Sequence, residues 1–173
     1  MSYDPKDFKN DVIRLFIITL CCLLLLFYAY TCKGEYQDPN AVIEEAMTHL
    51  GKPYRHYASG PDRFDCTGFT CYCFETVYGI ELERSAKAQG YDDTYQKLPL
   101  NALRRGDLVY FDTNPHDNDL SDHAGIYMGD GEFIHCSSGR GEVIISSLWE
   151  GFYYERFSWG RRVLQTGDEE KCN

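Results

Sequence analysis

The stretch His123-Ala124-Gly125-Ile126-Tyr127-Met128-Gly129-Asp130-Gly131-Glu132-Phe133-Ile134-His135-Cys136-Ser137 reads as two strands joined by a tight turn. A three-residue loop, Gly129-Asp130-Gly131, puts Gly131 where such loops take a left-handed residue. It pairs Gly125 with His135 and His123 with Ser137. Ala124, Ile126, Met128, Ile134 and Cys136 then make one apolar face, while His123 and His135 share the other with Tyr127 and Phe133. A two-residue loop would put the two histidines on opposite faces, because a slip of one residue inverts every side chain.

Further strands are expected on either side of this hairpin. Gly106-Asp107 leads into Leu108–Phe111, and Val143–Ser147 and Trp159–Leu164 follow at hairpin spacing. The part of the chain before them reads as helical. Asp38 is an N-cap and Pro39 a first helical residue, with Ile43, Ala46, Met47 and Leu50 as an apolar stripe. Gly51 ends that helix and Pro53 lies just beyond. After a loop over 52–63, a second helix should run from about Cys66 to Gly79, with Phe69, Cys73 and Val77 on one face. A short helical turn near Ser85–Gln89 precedes a polar loop. Helices first and strands second predict an α+β domain with a roughly five-stranded antiparallel sheet.

A chain of 173 residues suits a single domain with one sizeable core. Its net charge of −10 argues against nucleic acid, which needs a basic surface. Val12–Tyr30 is almost wholly apolar and about as long as the roughly 20 residues that span a bilayer. Lys6, Lys9 and Arg14 precede or open it and only Lys33 follows closely, so residues 1–33 are expected to be a cytosolic tail plus an anchor, with the domain outside. A cleaved signal peptide and a lipoprotein signal ending at Cys32 are the rival readings. Residues 165–173 read as a polar tail.

Of the eight cysteines, Cys66, Cys71, Cys73 and Cys136 lie inside the domain. Cys66-x4-Cys71-x-Cys73 fits no common zinc spacing, and Cys71, Cys73 and Cys136 read as small buried hydrophobes, with a disulfide among them left open. Cys66 differs because it opens a helix, where the macrodipole and free backbone amides favour a thiolate and can hold an oxyanion. Gly68 keeps the approach to that thiol uncrowded. His123 can take the thiol proton and return it to a leaving amine, and His135 can orient the His123 ring. Two histidines with no third and no carboxylate at ligand spacing make a poor zinc site. Asp112, Asp117, Asp119 and Asp122 lack the Gly and terminal Glu of a calcium loop and read as a solvated loop beside the site. Neither a metal nor a cofactor is expected.

Asp65-Cys66-Thr67-Gly68-Phe69, His123-Ala124-Gly125-Ile126-Tyr127 and His135 together resemble the NlpC-type papain-like cysteine peptidases of bacterial cell walls. Leu50-Gly51-Lys52-Pro53-Tyr54 and Arg105-Gly106-Asp107-Leu108 are similar to that family's upstream motif and strand entry, and the resemblance covers residues 37–164. It implies hydrolysis of peptidoglycan stem peptides, usually between γ-D-glutamyl and the diamino acid. It also implies Cys66 as nucleophile, His123 as base and His135 as the third polar residue, with Tyr54, Asp65 and Thr67 holding the peptide's free amino end. Thr67 stands where the family usually has Ser, which tightens that subsite. Asp65 is also readable as a plain helix cap and Tyr54 as loop packing. A muramoyl–alanine amidase with the same thiol chemistry and a silent wall-peptide-binding module are the competing functions. The expected partners are stem peptides and, through the N-terminal segment, the bacterial membrane.

Overall fold

The structure is a computed structural model that describes residues 13–25, 36–114, 116, 119–149 and 151–165. The chain divides into two compact units, one holding residues 13–25 and the other spanning Gln37–Glu169. In the first, residues 13–25 form a helix, α1, exposed along its whole length. Among the described residues no helix is long and apolar enough to cross a membrane. The expected span Val12–Tyr30 extends past α1 at both ends, to positions outside the described residues.

The second unit opens with α2 (Pro39–Met47), capped by Asp38, whose carboxylate accepts the Asn40 N–H at 3.0 Å. Its buried stripe is Val42, Ile43 and Ala46. Met47 and Leu50, expected on that stripe, are exposed; Leu50 lies beyond the helix end at Met47 and no longer follows its period. Next comes α3 (Cys66–Tyr78), which ends on Gly79 in the left-handed region at φ 65°. It packs against α2 and across two strands of the sheet. A short helix, α4 (Ala86–Tyr91), is capped by Ser85.

Six antiparallel strands follow: β1 (Gln96–Leu98), β2 (Leu108–Phe111), β3 (His123–Gly129), β4 (Glu132–Ser137), β5 (Glu142–Ser147) and β6 (Phe157–Arg162), in the spatial order β1-β6-β2-β3-β4-β5. The α+β class and the antiparallel sheet are as expected, but the sheet has one strand more. The addition is β1, inside the segment read as a polar loop. Three residues are too few to show a period, and β1 is held only by its neighbours, pairing with β6 and laying Lys97 Nζ 3.8 Å over the Trp159 ring. A second addition is α5 (Gly151–Arg156), between β5 and β6.

The β3–β4 register pairs Ile126 with Ile134 and Tyr127 with Phe133, which continues to Gly125 opposite His135 as expected. The turn itself differs. Asp130 and Gly131 form a two-residue turn with φ of 53° and 78°, both positive as a type I′ turn requires. The register shifts between Tyr127 and Gly129, so a bulge carries the extra residue that a three-residue loop would have supplied. Side-chain parity is therefore unchanged.

Parity divides the sheet into two faces. Leu108, Tyr110, Ala124, Ile126, Ile134, Cys136 and Trp159 join the core under α2 and α3. Val109, Phe111, Tyr127, Phe133 and Leu148 form a second cluster, joined by Tyr153 and Phe157.

Candidate active site

The hairpin parity sends His123 and His135 to one face, where His123 Nε2 lies 2.7 Å from His135 Nδ1. A contact that short between two ring nitrogens needs a proton on one of them. His135 Nε2 lies 2.9 Å from the Ser146 hydroxyl of β5, so the chain runs Ser146, His135, His123 and leaves His123 Nδ1 as the remaining ring nitrogen. If His123 carries its proton on Nε2, His135 accepts on Nδ1 and donates from Nε2 to Ser146, and Nδ1 of His123 is a free base. Phe133 stacks on His135 at 4.6 Å and 22°, fixing that ring's plane. Both histidines are buried. Burial pushes His123 down to about 4, and burial together with the neighbouring His123 holds His135 well below its usual range. Both rings are therefore neutral near pH 7.

Cys66 is the first residue of α3, and α3 packs against β3. The residue is half-buried, and its sulfur is met by the backbone N–H groups of Ala124, Thr67 and Cys66 itself. Since Ala124 follows His123, the thiol sits at the end of β3 that carries His123. Burial pushes the thiol up and Asp65 adds to it; the three amides oppose this without overturning it. The resting site thus holds a protonated thiol beside a neutral imidazole, in place of the thiolate expected from the helix start alone.

Asp65 is the N-cap of α3 and accepts the Gly68 N–H at 2.7 Å. The rest of its carboxylate is taken by Arg84, Nη1 to Oδ1 and Nη2 to Oδ2, both at 2.8 Å. Burial pushes the Asp65 carboxyl up, but Arg84 and the Gly68 amide together hold it below its ordinary value. Arg84 also donates to the Thr67 hydroxyl at 2.6 Å, to Ser59 Oγ at 3.0 Å and to the Ala58 carbonyl at 3.1 Å. The Thr67 hydroxyl donates in turn to the Arg84 carbonyl at 2.9 Å. Asp65 and Thr67 are buried and engaged with Arg84, whereas Tyr54 is half-buried. Burial and then the neighbouring Cys66 and Asp65 raise the Tyr54 phenol, which sets it beside both.

Gly68 acts otherwise than expected. A Cβ there would stand 2.0 Å from the Ala58 carbonyl oxygen, so its bare backbone admits the 58–59 loop to the helix start. Clearing the path to the thiol is not what the close contact demands.

The structure thus brings Tyr54, Asp65, Cys66 and Thr67 together at the start of α3, with His123 and His135 on the adjoining strands. Arg84, Ser146 and Tyr153 join them without having been singled out in the sequence. Ser146 had a signal, since it falls opposite Phe133 in the β4–β5 register. The Arg84 contacts span up to 26 positions and left none. Cys73 and Cys136 are buried free thiols, as read, and Cys136 Sγ donates to the Phe64 carbonyl at 3.2 Å, whereas Cys71, read as buried too, is a half-buried free thiol that accepts from Gln89 Nε2 at 3.3 Å. In the acidic loop, Asp122 Oδ2 accepts the Thr113 and Asn114 N–H groups, and Asp119 accepts that of Ser121 and pairs with Lys87. Asp117 lies outside the described residues.

The model of the NlpC/P60 family matches residues 51–162, well over half of the chain. The chain belongs to the NlpC/P60 family. Its NlpC/P60 region is 38% identical over 122 residues to a "Gamma-DL-glutamyl hydrolase" of Bacillus subtilis, covering 70% of this chain and 28% of the relative. It is 37% identical over 123 residues to "Murein DD-endopeptidase MepS/Murein LD-carboxypeptidase" of Escherichia coli, covering 71% and 62%. Among solved structures, an NlpC/P60 family protein from Bacillus cereus superposes with a TM-score of 0.68 at 27% identity, covering 75% of this chain and 41% of the other. The fold is that of the papain-like NlpC/P60 domains. The chain spans about half the length of the curated relatives it matches.

Proposed function

We propose that the NlpC/P60 domain is a cysteine hydrolase that cuts amide bonds in peptidoglycan stem peptides, between γ-D-glutamyl and the diamino acid. The observation that supports this most is the relay Ser146, His135, His123 ending at the strand beside the Cys66 thiol. The relatives named as a γ-DL-glutamyl hydrolase and a murein endopeptidase support the substrate class.

Cys66 is the nucleophile, His123 the base and His135 the orienting group. As the sulfur attacks the carbonyl carbon, its proton passes to His123 Nδ1, so no thiolate need exist beforehand. The carbonyl electron pair moves to oxygen, and backbone amides at the start of α3 are the donors at hand for that oxyanion. The imidazolium is stabilised by the Nε2 contact to His135 and gives its proton to the departing amine as the C–N bond breaks. Water, deprotonated by His123, then hydrolyses the thioester and restores the thiol. Tyr54, Asp65 and Thr67 border the acyl side and take the peptide's amino end. The apolar run Val12–Tyr30 supports a single-pass anchor with the domain facing the wall.

The test is incubation of the full-length chain with purified sacculi and mass spectrometry of the released peptides. Release of fragments cut after γ-D-glutamate, abolished in Cys66→Ala, is expected. No release across several wall chemotypes would refute the hydrolase; equal release from Cys66→Ala would move the nucleophile elsewhere.

A further inference from the structure

Helix α5 turns one of its aromatic side chains inward. Phe152 and Tyr154 are 51% and 53% exposed, whereas Tyr153 between them is half-buried. The Tyr153 ring lies over the His123 imidazole with centroids 5.9 Å apart and planes 26° from parallel. Its edge meets His135 at 4.9 Å, and it closes against Phe133 at 5.0 Å and Phe111 at 5.1 Å. Phe111 meets His123 at 6.1 Å, so Tyr153 and Phe111 both bound that ring. The Tyr153 hydroxyl is hydrogen-bonded to the Ser137 side chain and lies within the electrostatic reach of Cys66.

We propose that Tyr153 is a positioning residue for the thiol chemistry, a roof from α5 that holds the His123 ring in its working plane and keeps water off the His123–His135 pair. This rests on Cys66 and His123 being the reacting pair. With its Nε2 bound to His135 and Tyr153 stacked toward one face, the His123 ring is held in one orientation and Nδ1 in one direction. A ring that could tilt would lose the near-attack alignment, a loss that reaches about 100-fold for misplacement on the scale of 1 Å.

The roof also accounts for the neutrality of the base. Burial is the cause of the low His123 value, and Tyr153 supplies part of that burial. The other rings against His123 are His135 on β4 and Phe111 on β2, and the Cys66 thiol of α3, with Asp65 beside it, lies at the backbone of the next residue, Ala124. Of these Asp65 alone is charged near pH 7, and it is paired with Arg84. Opening the roof therefore admits water and moves His123 up, toward 6.5; His135, which Tyr153 also meets, should move up with it, and a titration that resolves the two rings reads them separately.

The test compares full-length wild type, Tyr153→Phe and Tyr153→Ala. Two readouts are taken: the NMR titration of the His123 ring, and kcat/KM against pH on a γ-D-glutamyl–diamino acid peptide. Tyr153→Phe should keep the wild-type acid limb and stay within about threefold in rate. Tyr153→Ala should raise the His123 midpoint and the acid limb by a full pH unit or more, and lower kcat about 100-fold with little change in KM. A smaller apolar filler, Tyr153→Leu, should shift in the same direction and serves if the alanine variant folds poorly. An unmoved His123 midpoint in both Ala and Leu variants would overturn the roof, as would Tyr153→Phe behaving like Tyr153→Ala. A wild type without peptidase activity would refute the proposed function, while the NMR midpoint would still decide the role of Tyr153.

Discussion

Replacing Arg84 by Gln tests how the start of α3 is held. The substitution removes both 2.8 Å bonds to the Asp65 carboxylate and leaves a buried carboxylate with the Gly68 amide as its chief remaining donor. Stripping one partner from a fully buried pair costs about 3–5 kcal/mol. Here the Arg84 side chain is 40% exposed, so water replaces part of what is lost and the expected cost is about 2 kcal/mol. For a unit of this size that lowers the melting temperature by about 6–10 °C. The loss should depend on pH in a set direction. Asp65 titrates below its ordinary 3.8 in the folded chain, so its ionised form stabilises the fold above about pH 4. That contribution drains away as pH falls through the depressed value. Once Asp65 is protonated it no longer needs Arg84, so the gap between wild type and variant should narrow in acid to the share owed to the Arg84 bonds with Thr67, Ser59 and Ala58. Urea unfolding of the full-length chain between pH 3 and pH 7 reads this directly. Asp65→Asn combined with Arg84→Gln should recover much of the loss, giving a coupling of about 2 kcal/mol. A difference of the same size at every pH, or no difference at pH 7, would refute the reasoning.

Three further outcomes are expected. Ser146→Ala removes the 2.9 Å contact that sets the His135 tautomer and should lower kcat about tenfold at unchanged KM; an unchanged kcat would take Ser146 out of the relay. Gly68→Ala forces a Cβ to within 2.0 Å of the Ala58 carbonyl and should destabilise by about 1–3 kcal/mol in thermal melts, despite the better helix propensity of Ala. Stability equal to wild type would show that the 58–59 loop yields freely. Cys66 should react with iodoacetamide near neutral pH well before Cys73 and Cys136, which are fully buried, Cys136 being pushed up to about 12. Comparable rates by peptide mapping would count against an accessible active thiol.

Two kinds of feature were legible in the sequence. The caps were, because Asp38-Pro39, Asp65 and Gly79 act through their own neighbours within a turn. The strands were, because alternation along a strand survives without knowledge of its partner. The hairpin shows where that reasoning stops. The faces of His123 and His135 came out correctly although the turn has two residues, since a bulge after Tyr127 restores the parity. Two short elements, β1 and α5, carry no period that could be read and exist through their contacts with β6 and β5.

By itself, then, the sequence of this chain determined the α+β class, the antiparallel hairpin, Cys66 at the start of a helix and the shared face of His123 and His135. Each of these follows from spacing within one element or across one hairpin. Only the tertiary structure decided the state and surroundings of those residues. It shows a thiol that burial keeps protonated, a His123 ring that burial keeps neutral with Phe111 and Tyr153 packed near it, and an Asp65 carboxylate already held by Arg84. The physical reason is that protonation and ring orientation are set by desolvation and by partners far away in the chain, neither of which leaves a periodic mark in the sequence.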